Sequence, residues 1–99
     1  MTPYRIDFDP RADRDGAKLP IAVRRRIREK LEFLRAAPFR SHPGVVVKEV
    51  AEARGIWRFH VSSEVRVFYT VVGDVLWVVM IDRSAGITQK TVRELRRRR

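Results

Sequence analysis

Residues 55–83 contain three apolar runs separated by two short turns, and this arrangement constrains the fold more than any other feature. The runs cover residues 56–61, 65–71 and 75–81, and the segments between them are rich in Ser, Gly, Asp and Glu. Short runs rich in Val, Ile and aromatic residues are typical of β-strands, and tight links of this kind join antiparallel neighbours. The region therefore predicts a three-stranded antiparallel meander.

The part of the chain before residue 45 predicts one strand and two helices. Residues 4–8 alternate apolar and polar side chains, which is typical of a half-buried strand. Asp9 and Pro10 then form a helix start signal, an N-cap residue followed by proline, and a short helix should follow. Pro20 opens a longer helix, which Pro38 ends. The apolar residues of this helix recur at helical spacing and predict one buried face: Val23, Ile27, Leu31 and Leu34.

The β-branched residues 45–50 predict one more strand before the meander. The order of elements gives an α+β fold: an N-terminal strand, two helices, then a four-strand, mostly antiparallel sheet with the helices packed on one sheet face. We expect a single domain over residues 1–99, because a chain of this length supplies one modest core. Residues 88–99 form a basic tail in which Val92 and Leu95 are placed to dock as one helical turn, and the sequence leaves open whether this tail is flexible.

The composition indicates a polyanionic partner. Lys and Arg number 22 against 12 Asp and Glu, a net charge of +10, while the hydrophobic fraction of 44% is ordinary for a globular chain. Nucleic acid is favoured over a membrane surface, because no segment is typical of an amphipathic anchor. The chain has no cysteine, which excludes disulfides, thiolate nucleophiles and cysteine-ligated zinc. With no signal-peptide core and no run long enough to span a bilayer, we expect a cytoplasmic protein.

Cationic side chains interrupt the apolar runs of the meander. Because side chains alternate across a strand, Arg58 and His60 share one face; Arg66 lies in the next run and Arg83 follows the third. Three arginines and a histidine with no carboxylate among them predict a site that binds phosphate and stabilises the charge developing on it. Among these four side chains only histidine ordinarily titrates near neutrality, so His60 is the candidate for proton transfer as an acid or base. The neighbouring guanidinium groups should lower the pKa of His60. A solvated strand histidine is the alternative.

Other basic and aromatic residues are candidates for contacts with a nucleic acid. The candidates for phosphate binding are Arg24, Arg25, Arg28, Lys48, Arg96 and Arg97. A solvated helix face and a nonspecific basic tail are the alternatives for most of them. Trp77 shares the parity of Ile81 and Arg83 and is a candidate for stacking on bases, with a partly buried tryptophan under the site as the alternative. The parity of Trp57 and Tyr69 assigns them to the core.

Three segments carry a family resemblance: residues 4–8, residues 31–34, and above all Gly55-Ile56-Trp57-Arg58 followed by residues 65–69. Over nearly its whole length the chain resembles the RelE/ParE superfamily of toxins from type II toxin–antitoxin modules. The RelE branch implies a ribosome-dependent endoribonuclease that cleaves mRNA without metal or cofactor, by attack of the 2′-OH on the phosphate. In that resemblance Arg58 and His60 match basic positions on the third strand.

Arg66 and Arg83 match, by the same resemblance, an arginine on the fourth strand and one beyond the fifth. The family often has a tyrosine or histidine shortly after the latter, and this chain has Ile87, Thr88 and Gln89 there. The resemblance implies as partners the ribosome, mRNA and a small acidic or amphipathic cognate antitoxin that covers the basic face in a hetero-oligomer. Two other functions stay open: a ParE-like DNA gyrase inhibitor without nuclease activity, and a non-enzymatic basic RNA- or ribosome-binding protein.

Overall fold

The fold is one mixed sheet with helices on both faces. A computed structural model describes residues 3–83 and 87–98, and within them it has five strands and three helices. The elements are β1 (Arg5–Phe8), α1 (Pro10–Ala17), α2 (Ile21–Leu34), β2 (Val47–Glu49), β3 (Trp57–His60), β4 (Arg66–Val72), β5 (Val75–Asp82) and α3 (Gln89–Arg98). The strand order is β1-β5-β4-β3-β2, with β1 parallel to β5 and the other pairs antiparallel. The predicted α+β class and the antiparallel meander are confirmed.

Helices α1 and α2 cover one face of the sheet, which we call the helix face. Ala12 of α1 and Ile27 of α2 pack there in the main core with Phe59 and Val67. Tyr69 is buried in the same core, and its hydroxyl donates a hydrogen bond to the carbonyl of Pro38. The packing of the two predicted helices on one sheet face is confirmed, as is the structural position of Tyr69.

Helix α3 packs on the opposite face, which we call the open face. Its residue Leu95 is fully buried in a second apolar cluster with Phe68 and Met80. The predicted single helical turn is therefore too short, since the structure has a helix of ten residues there. Arg99, the end of the predicted tail, lies outside the described residues. Within residues 3–83 and 87–98, no helix combines the length and apolar character needed to cross a membrane.

The pairing of β4 with β5 contains a β-bulge. Phe68 lies opposite Met80 and Tyr69 lies opposite Val78, so Val79 is an extra residue in β5. A bulge reverses the alternation of side chains beyond it. The shared parity that the sequence predicted for Trp77 and Ile81 is therefore wrong. Trp77 packs against the second cluster, whereas Ile81 belongs to the main core of the helix face.

Helix α1 begins at the predicted cap. The Oδ1 atom of Asp9 accepts a hydrogen bond from the backbone N–H of Arg11 at 2.8 Å and another from its guanidinium at 3.0 Å. Asp9 is only 5% exposed. These hydrogen bonds stabilise the charged carboxylate and hold the pKa of Asp9 below its ordinary value.

We expect Asp9→Ala to lower the free energy of unfolding at pH 7 by about 1 kcal/mol, the usual cost of removing an N-cap. Because the folded-state pKa is depressed, the contribution is full above the unfolded-state pKa of about 3.9 and is lost as the pH falls through the folded-state value. Urea denaturation of both proteins at pH 7 and in acid measures this. The matched control is Asp13→Ala, which removes an exposed carboxylate from the first turn of the same helix. A stability difference that does not shrink in acid would contradict the prediction.

Candidate active site

The predicted cations come together on the open face, near one end of β3 and β4. His60 of β3 lies opposite Arg66 of β4, and Arg58 of β3 lies opposite Lys48 of β2. Directly opposed residues of neighbouring strands place their side chains on the same face of a sheet. Residues 58 and 60 share that face as well, because they are two apart on one strand. We call Lys48, Arg58, His60 and Arg66 the cationic cluster.

A hydrogen bond joins the two β3 members of the cluster. The Nη1 atom of Arg58 lies 2.9 Å from Nε2 of His60. A guanidinium can only donate, so Nε2 must be the acceptor and must carry a lone pair. The imidazole in this arrangement is therefore neutral, with its proton on Nδ1. Arg58 is half-buried and His60 is exposed, so solvent can reach the ring.

The surroundings of His60 keep its imidazole neutral. Although His60 is exposed as a residue, partial desolvation by its neighbours lowers its pKa, and the positive charges of Arg58, Arg66 and Lys48 lower it further. A hydrogen bond with the backbone of Ser62 opposes them by raising the pKa. The net pKa lies below the ordinary value of 6.5. At neutral pH the ring is therefore mainly in the form that can accept a proton.

Arg66 is the buried member of the cluster. It is 5% exposed and lies between His60 on one neighbouring strand and Asp82 on the other. The sequence predicted a site without a carboxylate, and that prediction is wrong, since Asp82 occupies the β5 position directly opposite Arg66. The cause is the bulge at Val79, which turns Asp82 to the open face. An arginine held in a buried position is preorganised, because little side-chain freedom is left to lose on binding an anion.

Arg83 is the fourth of the predicted catalytic residues. It follows the last residue of β5 and is exposed. The catalytic assignment of Arg83 stays a prediction. Lys48 was predicted only as an RNA-binding residue. The register of β2 against β3, which places Lys48 beside Arg58, cannot be predicted from the pattern of residues 45–50.

The remaining candidates for RNA binding lie on other surfaces. Arg24, Arg25 and Arg28 are exposed on α2 and line a groove beside α1, on the side of the sheet away from the cluster. Arg96 donates two hydrogen bonds to the carbonyl of Glu52, at 3.2 and 2.7 Å, and so fastens α3 to the segment between β2 and β3. Their RNA-binding roles stay predictions.

Arg97 and Trp77 are the last two residues that were predicted to contact RNA. Arg97 has a side chain 68% exposed and a loose ion pair with Glu94 at 3.6 Å. Trp77 is half-buried against the second cluster, which leaves part of its ring accessible on the open face. Trp57 packs against the main core with its ring centroid 5.1 Å from that of Phe39, so its predicted core position is confirmed.

The side chains of the site suit an anion better than a metal ion. Lysine and arginine present only donors, and their positive charge repels a metal cation. In the part of the chain that the structure describes, no three His, Asp or Glu side chains gather as a metal-binding group. The arrangement can bind a phosphate through its cations and move a proton through its imidazole.

We expect the pKa of His60, measured by NMR titration of the imidazole, to lie below about 6.5. Arg58→Gln should raise it, because one of the positive charges that disfavour the imidazolium is removed. The pKa should still remain below the ordinary value, since burial and the charges of Arg66 and Lys48 persist. Arg25→Gln, the same change on the far face of the sheet, is the control. Equal shifts in the two variants would show that net charge, and not local geometry, sets the pKa.

Solved structures with a similar fold are known, although sequence comparisons find no match. No protein-family model and no curated protein sequence matches the chain. Among solved structures it is similar to RelE in the archaeal RelE-RelB complex from Pyrococcus horikoshii, with 21% identity, a TM-score of 0.67, and coverage of 88% of this chain and 100% of that one. A free variant of the E. coli toxin RelE matches with 23% identity, a TM-score of 0.67 and 98% of each chain.

A third structure extends the likeness within the superfamily. The YoeB/ParE toxin from Agrobacterium tumefaciens matches with 15% identity and a TM-score of 0.69, over 80% of this chain and 96% of that one. These identities are low, while the shared geometry covers nearly the whole of each neighbour. The resemblance read from the sequence is thus confirmed at the level of structure: this chain has the fold of the RelE/ParE toxins.

Proposed function

We propose that this protein is the toxin of a type II toxin–antitoxin module and that it cleaves mRNA on the ribosome without a metal ion. The observation that carries the proposal is the cationic cluster. It combines one neutral imidazole with three cations, on an accessible sheet face of a RelE-like fold. A cluster of cations alone would serve binding, whereas the titratable group beside them provides proton transfer.

His60 is the proton-transfer group of the proposed reaction. The substrate 2′-OH attacks the adjacent phosphorus, His60 accepts the proton of that hydroxyl, and the bond from phosphorus to the 5′ oxygen breaks. The products are a 2′,3′-cyclic phosphate and a 5′-hydroxyl, whose proton we assign to water. In the free protein Arg58 donates a hydrogen bond to Nε2 of His60. A bound phosphate is the stronger acceptor for a guanidinium, so substrate draws Arg58 away and frees the lone pair.

Arg58, Arg66 and Lys48 stabilise the charge that develops on the phosphate. Their positions on three adjacent strands surround His60 on the open face. Arginine cannot serve as the base because it stays protonated, so its role is electrostatic. Arg66 acts from a fixed, buried position, whereas Lys48 is exposed and contributes chiefly to phosphate affinity.

A cognate antitoxin is the second proposed partner. Several of the similar structures are RelE-RelB complexes, which are assemblies of those proteins with their antitoxins. In this chain the groove between α1 and α2 has Phe8 and Ile27 among its apolar lining residues and Arg24 and Arg25 beside them. Such a groove suits an acidic amphipathic segment, whose apolar side would bury and whose charges would pair with the arginines. We propose that the protein acts in the cytoplasm, where its substrate, mRNA on the ribosome, is found.

We expect expression of this protein without its antitoxin to stop growth by halting translation, with messages cut within codons that ribosomes occupy. Primer extension on a translated message, compared with the same message lacking its start codon, measures the cleavage. Intact messages together with loss of DNA supercoiling would show a gyrase inhibitor instead. Intact messages on stalled ribosomes would show a non-enzymatic ribosome-binding protein.

We expect His60→Gln to lower the single-turnover cleavage rate by roughly 10²–10⁴, because the variant keeps much of the shape but loses the titratable group. Ribosome affinity should change little. At limiting substrate the wild-type rate should rise with pH through the pKa of His60 in the free protein, below about 6.5, since the neutral imidazole is the active form. Ser63→Ala, in the turn after β3, is the control for a local change in that region. An active Gln variant with a flat pH profile would contradict the role of His60.

A further inference from the structure

The outer edge of β5 is covered by a strand over only part of its length. β1 pairs with β5 as far as Val78, and the N–H of Asp9 donates to the carbonyl of Val78 at 2.9 Å. Beyond that point two side chains take the place of a strand. Asp15 accepts a hydrogen bond from the N–H of Ile81 at 3.2 Å, and Arg98 donates one to the carbonyl of Val79 at 3.0 Å.

Asp15 and Arg98 also bind each other. Nη1 of Arg98 lies 2.7 Å from Oδ2 of Asp15, and the side chains are 11% and 23% exposed for Arg98 and Asp15. Nε of Arg98 donates to Glu94 at 3.1 Å, and the carbonyl of Arg98 accepts from Arg11 at 3.3 Å. The pair therefore ties the end of α3, the end of α1 and the edge of β5 together. A largely buried pair with several hydrogen bonds holds its partners in one geometry.

The segment that this pair holds is the bulged one. Val79 is the extra residue of the bulge, and the bulge decides that Met80 and Asp82 face the open side. Asp82 is thereby placed opposite Arg66. Leu95 of α3 packs in the second apolar cluster with Met80, next along the sheet from the cationic cluster. The position of β5 beside Arg66 thus depends on contacts made outside the site.

We propose that Asp15 and Arg98 are positioning residues for the cationic cluster. They hold the bulged end of β5 from its outer edge and so fix the alignment of that strand with Arg66. Neither residue is in the cluster. The catalytic part of this inference rests on the proposed nuclease function, whereas its geometric part does not.

The first test uses Arg98→Ala and measures the geometry by NMR. The amide of Ile81 should exchange faster with solvent. The His60 imidazole should titrate at lower pH, because Asp82 of β5 is no longer held opposite Arg66, where its carboxylate offsets part of the positive charge beside His60. The matched control is Arg97→Ala, which removes the same charge from an exposed neighbouring position. Faster exchange at Ile81 with an unchanged His60 titration would show that the pair is merely structural and would overturn the proposal. Equal shifts of the His60 titration in Arg98→Ala and Arg97→Ala would overturn it as well.

The second test measures cleavage on translated messages. Arg98→Ala should lower the single-turnover rate by about 10-fold to 10²-fold, as small misplacements of catalytic groups do, with ribosome affinity unchanged. Arg98→Lys should restore part of the rate, since an ammonium can still reach one of the acceptors. If the wild type does not cleave, the proposed function fails, but the NMR result still decides the positioning role. Should Arg98→Ala unfold, Asp15→Asn gives the same comparison while keeping the size of the side chain.

Discussion

Strand β4 packs against apolar side chains on both of its faces, so its register cannot shift. Val67 and Tyr69 lie in the core beneath α1 and α2, and Phe68 lies in the cluster beneath α3. A slip by one residue would exchange these two apolar sets, and would also move Arg66 to the wrong face. The same packing that stabilises the sheet therefore fixes the most buried cation of the site. Its neighbour His60 on β3 is then aligned through the regular pairing of β3 with β4.

The charges that we propose to bind a phosphate also lower the proton affinity of His60 in the free protein. In the free protein Arg58, Arg66 and Lys48 disfavour the imidazolium and lower the pKa of His60. A bound phosphate brings negative charge into the same space and offsets those cations. The imidazole is then better able to accept a proton when substrate is present than when it is absent. Binding and activation of the base are in this way two effects of one set of charges.

Local signals in the sequence were enough to predict most of the fold. The cap at Asp9, the spacing of apolar residues in α2 and the turns of the meander each depend on neighbours in the chain. The bulge could not be predicted, because Val78, Val79 and Met80 are all apolar. An extra residue within a continuous apolar run leaves no sign in the alternation of polar and apolar residues. Helix α3 was underestimated for a related reason: its composition is mostly charged, and only its packing on the open face shows that Leu95 is a core residue.

The residues of the site differ in the same way: some could be predicted from nearby sequence, and others depend on how the strands pair. Arg58 and His60 were predicted to share a face because they are two apart on one strand, whereas Asp82 and Lys48 depend on pairings between strands. The net charge did not indicate where the site lies, because several arginines make hydrogen bonds that stabilise the fold. Arg98 binds Asp15, Arg96 binds a backbone carbonyl, and Arg35 binds the carbonyl of Tyr4. What distinguishes the cluster is the proximity of cations to a group that titrates near neutrality, and this property arises only when the strands pair.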